Sequence, residues 1–269
     1  MSPYRLTYIY HDCFMYETSE VVILFDFWKD PLSVGRDKDF PPILDEIDPS
    51  KRFYVVISHH HKDHFTRRIF LWTQRFPDIK FIISADVFKA VRYMLIPGGT
   101  YAGHRPPLSS VHVLSPGDEF CDEFLRVRAF GSTDIGNSYA IECAGRSLFH
   151  AGDLNAWLWI DESTPEEISQ ARDAFTSIVE EIKTIFPSFS LVMFPVDSRL
   201  GREYWWGARY FLSNILVSLF VPMHFELVLS ENEKEQRRID AAAFNLFARS
   251  DFGACLQLAS TRSSYYTAD

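Results

Sequence analysis

Basic residues are in short supply in this chain: 27 lysines and arginines face 36 aspartates and glutamates, a formal net charge of −9. That balance leaves no electrostatic footprint for a polyanion, so nucleic acid is not an expected partner. The four cysteines, Cys13, Cys121, Cys143 and Cys255, are scattered without a CxxC spacing. They offer neither a disulfide frame nor a thiolate metal site. No apolar run approaches the ~20 residues that cross a bilayer, and Met1-Ser2-Pro3-Tyr4-Arg5 lacks the charged-then-apolar pattern of a secretion signal. A soluble, cytoplasmic protein without a membrane partner is expected, with its oligomeric state open. What the chain does have is apolar residues. At 47% hydrophobic and 16% aromatic over 269 residues it can fill one large core, so a single domain spanning 1–269 is expected.

Polar chemistry concentrates behind one apolar run. Residues 53–57 read as a buried central strand, and Ser58-His59-His60-His61-Lys62-Asp63-His64 follows at its carboxyl end. If the backbone is still extended there, His59 and His61 share a face and reach one ion while His60 points away. Asp63 and His64, just past the turn, can reach a second ion. A histidine run inside the chain, behind a strand and interrupted by an aspartate, reads as a metal site rather than a solvated basic loop.

The motif His59-x-His61-x-Asp63-His64 resembles the signature of the metallo-β-lactamase fold hydrolases. That resemblance implies an α/β (α+β) architecture, a four-layered αββα sandwich with one or two metal ions held on loops at one edge. Two later segments fit the same family. Phe149-His150-Ala151-Gly152-Asp153 resembles the motif whose aspartate bridges two metals, and Phe220-Val221-Pro222-Met223-His224-Phe225 resembles the last, histidine-bearing motif. Asp26, at the end of an early strand, fits either a residue supporting the ligands or an ordinary turn.

Family correspondence places one ion on His59 and His61 with a third ligand, another on Asp63, His64 and His224, and Asp153 between them. The third ligand departs from the family, because the loop Gly131-Ser132-Thr133-Asp134-Ile135-Gly136 has no histidine. Alignment from Asp153 gives Asp134; alignment on Gly136 gives Thr133. Asp134 is the chemical choice, since a carboxylate is a good ligand and a neutral hydroxyl a weak one. Two divalent ions are thus implied, zinc first, with manganese or iron as alternatives. A water shared between them would ionise near neutral pH and act as nucleophile, with Asp63 as the catalytic residue that orients it. His150 reads as a core or supporting residue.

The expected activity is metal-dependent hydrolysis of a small polar substrate bearing an ester, lactone or phosphodiester bond. The style of the last two motifs is closest to the lactonase and tRNA 3′-processing nuclease branch. Nuclease or phosphodiesterase action on nucleic acid is the competing enzyme reading. A non-catalytic metal-binding sensor or assembly protein is the reading that the missing third histidine supports.

Periodicity supplies the rest. Strands are expected at 5–10, 21–27, 79–83, 111–114, 125–130, 138–142, 147–150, 190–195 and 256–258, and helices at 43–47, 67–76, 85–95, 206–218 and 230–247. Thr164-Pro165-Glu166-Glu167 is a capping-box start for a long amphipathic helix. The Gly/Pro-rich segment 96–107 reads as a connector or as a wall of the site. The same two readings, pocket wall or core, apply to Trp157, Trp159, Tyr204, Trp205 and Trp206.

Overall fold

The computed structural model describes residues 3–97, 101–224, 254–255 and 264–266. The chain opens as an antiparallel meander of β1 (Arg5–Tyr10), β2 (Cys13–Glu17) and β3 (Val21–Phe25), then continues in parallel through β4 (Arg52–Ile57), β5 (Lys80–Ser84) and β6 (Val111–Leu114). Helix α1 (Ala85–Leu95) returns the chain from β5 to β6. A second sheet begins with the antiparallel run β7 (Glu119–Cys121), β8 (Leu125–Phe130), β9 (Ser138–Cys143) and β10 (Arg146–His150). It goes on in parallel through β11 (Ser188–Pro195), β12 (Leu216–Met223) and β13 (Ala254–Cys255), after α2 (Pro165–Ile185) and α3 (Trp206–Asn214). β14 (Ser264–Tyr266) closes the first sheet beside β1.

The two sheets pack face to face with helices outside each, a four-layered αββα sandwich. Strand β4 shows why its sequence is apolar throughout. Tyr54 and Val56 join the core between the sheets, while Phe53, Val55 and Ile57 pack under α1 with Val87, Val91, Met94 and Leu95. A strand buried on both faces has no polar alternation to display. Helix α2 buries Phe175, Val179 and Ile182, one turn apart on a single stripe, and α3 adds Ala208, Phe211 and Leu212.

Several elements differ from the sequence expectation for physical reasons. Residues 67–74 form 3-10 turns, since the buried pairs Ile69/Trp72 and Phe70/Thr73 repeat every three residues. The segment 43–47 is likewise a 3-10 turn, Pro42–Glu46. Helix α3 stops at Asn214 because Leu216 to Met223 pairs along the length of β11, so the strand begins where the helix was expected to continue. The strands β2 and β7 were not expected. β2 matters most, because it makes His11-Asp12 a tight turn at the sheet's end. The expected helix 230–247, strand 256–258 and residues 98–100 lie outside the described residues.

The capping box at α2 is formed in both directions: Glu167 N–H donates to Thr164 Oγ1 at 3.3 Å, and Thr164 N–H donates to Glu167 Oε2 at 2.8 Å. Thr164→Ala should cost about 1 kcal/mol, and Phe175→Ala, which empties a core site, about 3–5 kcal/mol. Chemical denaturation of the two variants checks both magnitudes and their order.

Candidate metal centre

The site forms where β4 ends. Asp26, just past β3, is fully buried and accepts hydrogen bonds from Ser58 N–H at 2.7 Å, from the Ser58 hydroxyl, and from His64 Nδ1 at 2.8 Å. Because the Ser58 hydroxyl donates to Asp26, its lone pair is left to accept from His59 Nδ1, 2.9 Å away. Both rings thus direct an Nδ1–H at their acceptors and turn Nε2 toward the pocket. His224 is set the same way: its Nδ1 is 3.0 Å from Asp197 Oδ2, and Arg199 grips both oxygens of Asp197 from the other side. This outer layer of acceptors is the arrangement that fixes the orientation of metal-binding imidazoles.

Two loops of the second sheet close on the same strand end. Asn137 N–H donates to Ser58 O at 3.0 Å and the Tyr139 hydroxyl to Ile57 O at 3.1 Å. The approach requires glycine. A Cβ on Gly136 (φ 78°) would lie 2.2 Å from Ser58 O, and one on Gly152 (φ 52°) 2.6 Å from Ser58 Cβ. Gly152 brings in Asp153, whose Oδ2 lies 3.4 Å from His59 Nε2 while Oδ1 lies 3.2 Å from His64 Nε2 and 3.3 Å from His224 Nε2. Its two oxygens therefore face two different groups of histidines. His61 turns its Nδ1 inward, 3.0 Å from His59 Nε2 and 3.5 Å from Asp134 Oδ2.

Those separations are informative. Donors bound ~2.1 Å from one tetrahedral ion lie ~3.4 Å from each other, and one donor each of His59, His61, Asp134 and Asp153 falls within 4.8 Å of the rest. Buried polar atoms with no hydrogen-bond partner mark the other half: His64 Nε2, Asp153 Oδ1, both ring nitrogens of His11 and both carboxylate oxygens of Asp12. Groups so placed are costly without an occupant. The donor set fits divalent metal.

Electrostatics agree. Burial works against a charged His64 ring, yet the Asp153, Asp12 and Asp26 carboxylates outweigh it and raise its pKa to about 9. His224, also buried, is raised well above its ordinary range by Asp12, Asp153 and Asp197. Burial pushes Asp12 up to about 7. Asp153 sits well below the usual carboxylate range, because His224 and His64 more than offset the burial that would raise it. The pocket is built to hold positive charge.

The structure brings His59, His61, His64, Asp134, Asp153 and His224 together. Asp63, half-exposed, stands at the edge of this group with Oδ2 3.6 Å from His11 Nε2. Thr133 is turned to Asn155, donating to its carbonyl and accepting its N–H. His60 points away to Asp86. His150 is a core tie, accepting from Gly152 N–H and donating to Asp12 O while stacked on Phe25. Of the aromatic candidates, Trp157 stands against His224 with ring centroids 5.1 Å apart, whereas Trp206 packs on Phe175 and Tyr210. Arg105 ties together the carbonyls of Met94, Ile96 and Tyr101.

Sequence reasoning missed His11, Asp12 and the buttress role of Asp197. The cue for the first two was a His-Asp pair between two aromatic strands, which only β2 turns into a site residue. Left-handed backbone clusters here as well, at His11 (φ 57°), Asp26 (φ 41°) and His224 (φ 68°), as strain does at functional sites.

Asp26→Asn should fold but lose the acceptor that orients His64 and, through Ser58, His59. Zinc affinity should fall about 10- to 100-fold, the range for outer-layer partners, as read by chelator competition.

In sequence, no curated protein matches significantly, but the model of a family described as "Beta-lactamase superfamily domain" matches residues 5–171. In structure, the chain is similar to Igni18, a metallo hydrolase from Ignicoccus hospitalis, with 14% identity, a TM-score of 0.61 and 99% of each chain covered. It is similar to the metallo-beta-lactamase fold protein YhfI from Bacillus subtilis, at 10% identity and a TM-score of 0.58, over 99% of this chain and 100% of that one. It also matches CmlA, a diiron beta-hydroxylase from Streptomyces venezuelae, at 12% identity and a TM-score of 0.63, spanning 97% of this chain but only 54% of that one. The fold, the carboxylate set between two groups of histidines and a family model covering more than half of the sequence lead to one placement: the chain belongs to the beta-lactamase superfamily domain family, with the metallo-β-lactamase fold.

Proposed function

We propose that the chain is a metal-dependent hydrolase of a small polar substrate, with an ester, lactone or phosphodiester bond as the target. The observation that carries this reading is Asp153, whose Oδ2 faces His59 while Oδ1 faces His64 and His224. A carboxylate so placed would be shared by two ions if both were bound. His59, His61 and Asp134 would hold the first, and Asp63, His64 and His224 the second. Bound divalent ions would bring water to ionisation near neutral pH and polarise the substrate's electrophilic centre.

The chain's own groups would do the rest. Asp63, half-exposed, would orient the attacking water as well as ligate. Arg199 is hydrogen-bonded to Asp197, the residue that holds His224 Nδ1. Asp197 engages its Nε and Nη2, which leaves Nη1 to meet a polar or anionic substrate group. Trp157 would wall the His224 side and exclude bulk water.

Asp134 in place of a histidine gives the first ion one more oxygen donor, which favours manganese or iron beside zinc. The nature of the last motifs, Phe149 to Asp153 and Phe220 to His224, supports the lactonase and nuclease-like branch for comparison substrates. The net charge of −9 supports a small molecule over a nucleic acid.

Metal-reconstituted protein assayed on lactones, nitrophenyl phosphodiesters and thioesters tests the reading. His61→Ala should abolish whichever activity is found, and survival of that activity would remove the mechanism. Asp134→Ala should lower metal content toward one ion per chain, and Asp134→His should restore two. Stoichiometric metal with persistent inactivity across the panel would favour a sensor.

A further inference from the structure

We propose that the first sheet carries a binding site for an amphipathic organic anion, at the same end as the metal centre and built from none of the metal-ligand residues. A cavity of about 620 Å³ opens there, within the ~300–1,000 Å³ of small-molecule sites. Tyr10, Phe27, Trp28, Pro31 and Pro41 give it an aromatic and aliphatic wall. Its place follows from the chain: Tyr10 precedes His11 and Phe27 follows Asp26. Thr66, two residues beyond His64, lines it too, and its N–H donates to Phe27 O at 3.2 Å.

Charge gives the ligand its sign. In a chain of net charge −9, this cavity is lined by Lys29, Lys38 and Arg68. Asp30 is the carboxylate among the lining residues, but it is 4% exposed and turned to the backbone, accepting from Leu32 N–H and Ile43 N–H at 3.0 Å each. Arg68 is paired with Asp39, so Lys29 and Lys38 set the sign. The Lys29 ammonium sits over two rings, 3.8 Å from the Tyr10 centroid and 4.1 Å from the Trp28 centroid, which fixes positive charge against the aromatic wall. An anionic head at the two lysines, with an apolar body along Tyr10, Phe27 and Trp28, complements both features.

The lip of the cavity is apolar as well. Val34 lines it at 88% exposure, and Leu32, in the same loop, is 53% exposed. Exposed apolar side chains that continue an apolar wall mark a ligand groove rather than a solvated loop. A straight acyl chain with a carboxylate head has the chemistry that wall, lip and lysines require together. The site needs no metal ion, so it stands apart from the hydrolase reading.

The test titrates octanoate calorimetrically into the full-length, zinc-loaded protein, with acetate as the head alone and octylammonium as the same tail with opposite charge. Octanoate should bind, octylammonium at least about tenfold more weakly, and acetate not measurably. Val34→Asp and Lys38→Glu change exposed side chains and leave the core intact. Each should weaken octanoate about tenfold, whereas Leu216→Asp, at a position 76% exposed on β12 of the other sheet, should leave it unchanged. Absence of octanoate binding, octylammonium binding as tightly, or an affinity lost in Leu216→Asp would overturn the proposal. So would wild-type affinity in both Val34→Asp and Lys38→Glu, which would put the carboxylate on the metal ions instead. None of these results touches the hydrolase reading.

Discussion

The carboxylate of Asp26 is the constraint on which this site depends. It is fully buried, and the three hydrogen bonds it accepts from Ser58 and His64 offset the cost of burying its charge. The same bonds fix the end of β4, the tautomer of His64 and, through the Ser58 hydroxyl, that of His59. Gly136 and Gly152 then dock on the backbone so fixed, which brings in Asp134 and Asp153. One side-chain anion from the first sheet thereby sets the position of carboxylates that arrive from the second. Its pKa is held low because the His150, His64 and His59 rings outweigh its burial.

Asp197 repeats the device on the far side. It is buried beside His224, and Arg199 completes its shell. Its own pKa is lowered by the His224 and Arg199 hydrogen bonds against the effect of burial. Carboxylate buttresses on both flanks turn the Nε2 atoms of His59, His64 and His224 toward Asp153 and fix the rings. That combination is what a metal centre needs from its protein.

Much of this was legible in the sequence because it is local. The His59-x-His61-x-Asp63-His64 spacing, the strand before it, the Thr164 capping box and the continuous apolar runs of β4 and β11 depend on near neighbours alone. The rest depends on topology. His11 reads as an ordinary residue until β2 folds back and turns the peptide at its position. Asp197 reads as a loop residue until β12 delivers His224 beside it. Thr133, the alternative to Asp134, is held by Asn155, two residues past Asp153, whose backbone occupies the threonine hydroxyl on both sides. A spacing argument cannot see that contact. The reach of α3 was likewise overestimated, because pairing with β11 outweighs the helical pattern.

The central claim is that Asp153 is shared between two ions. Anomalous-scattering crystallography of the metal-loaded protein measures it directly. The account predicts two peaks ~3.5–4 Å apart, each ~2.0–2.2 Å from a different Asp153 oxygen, with Asp134 beside the first. A single peak, or two ions with Asp153 bound to only one of them, would contradict it.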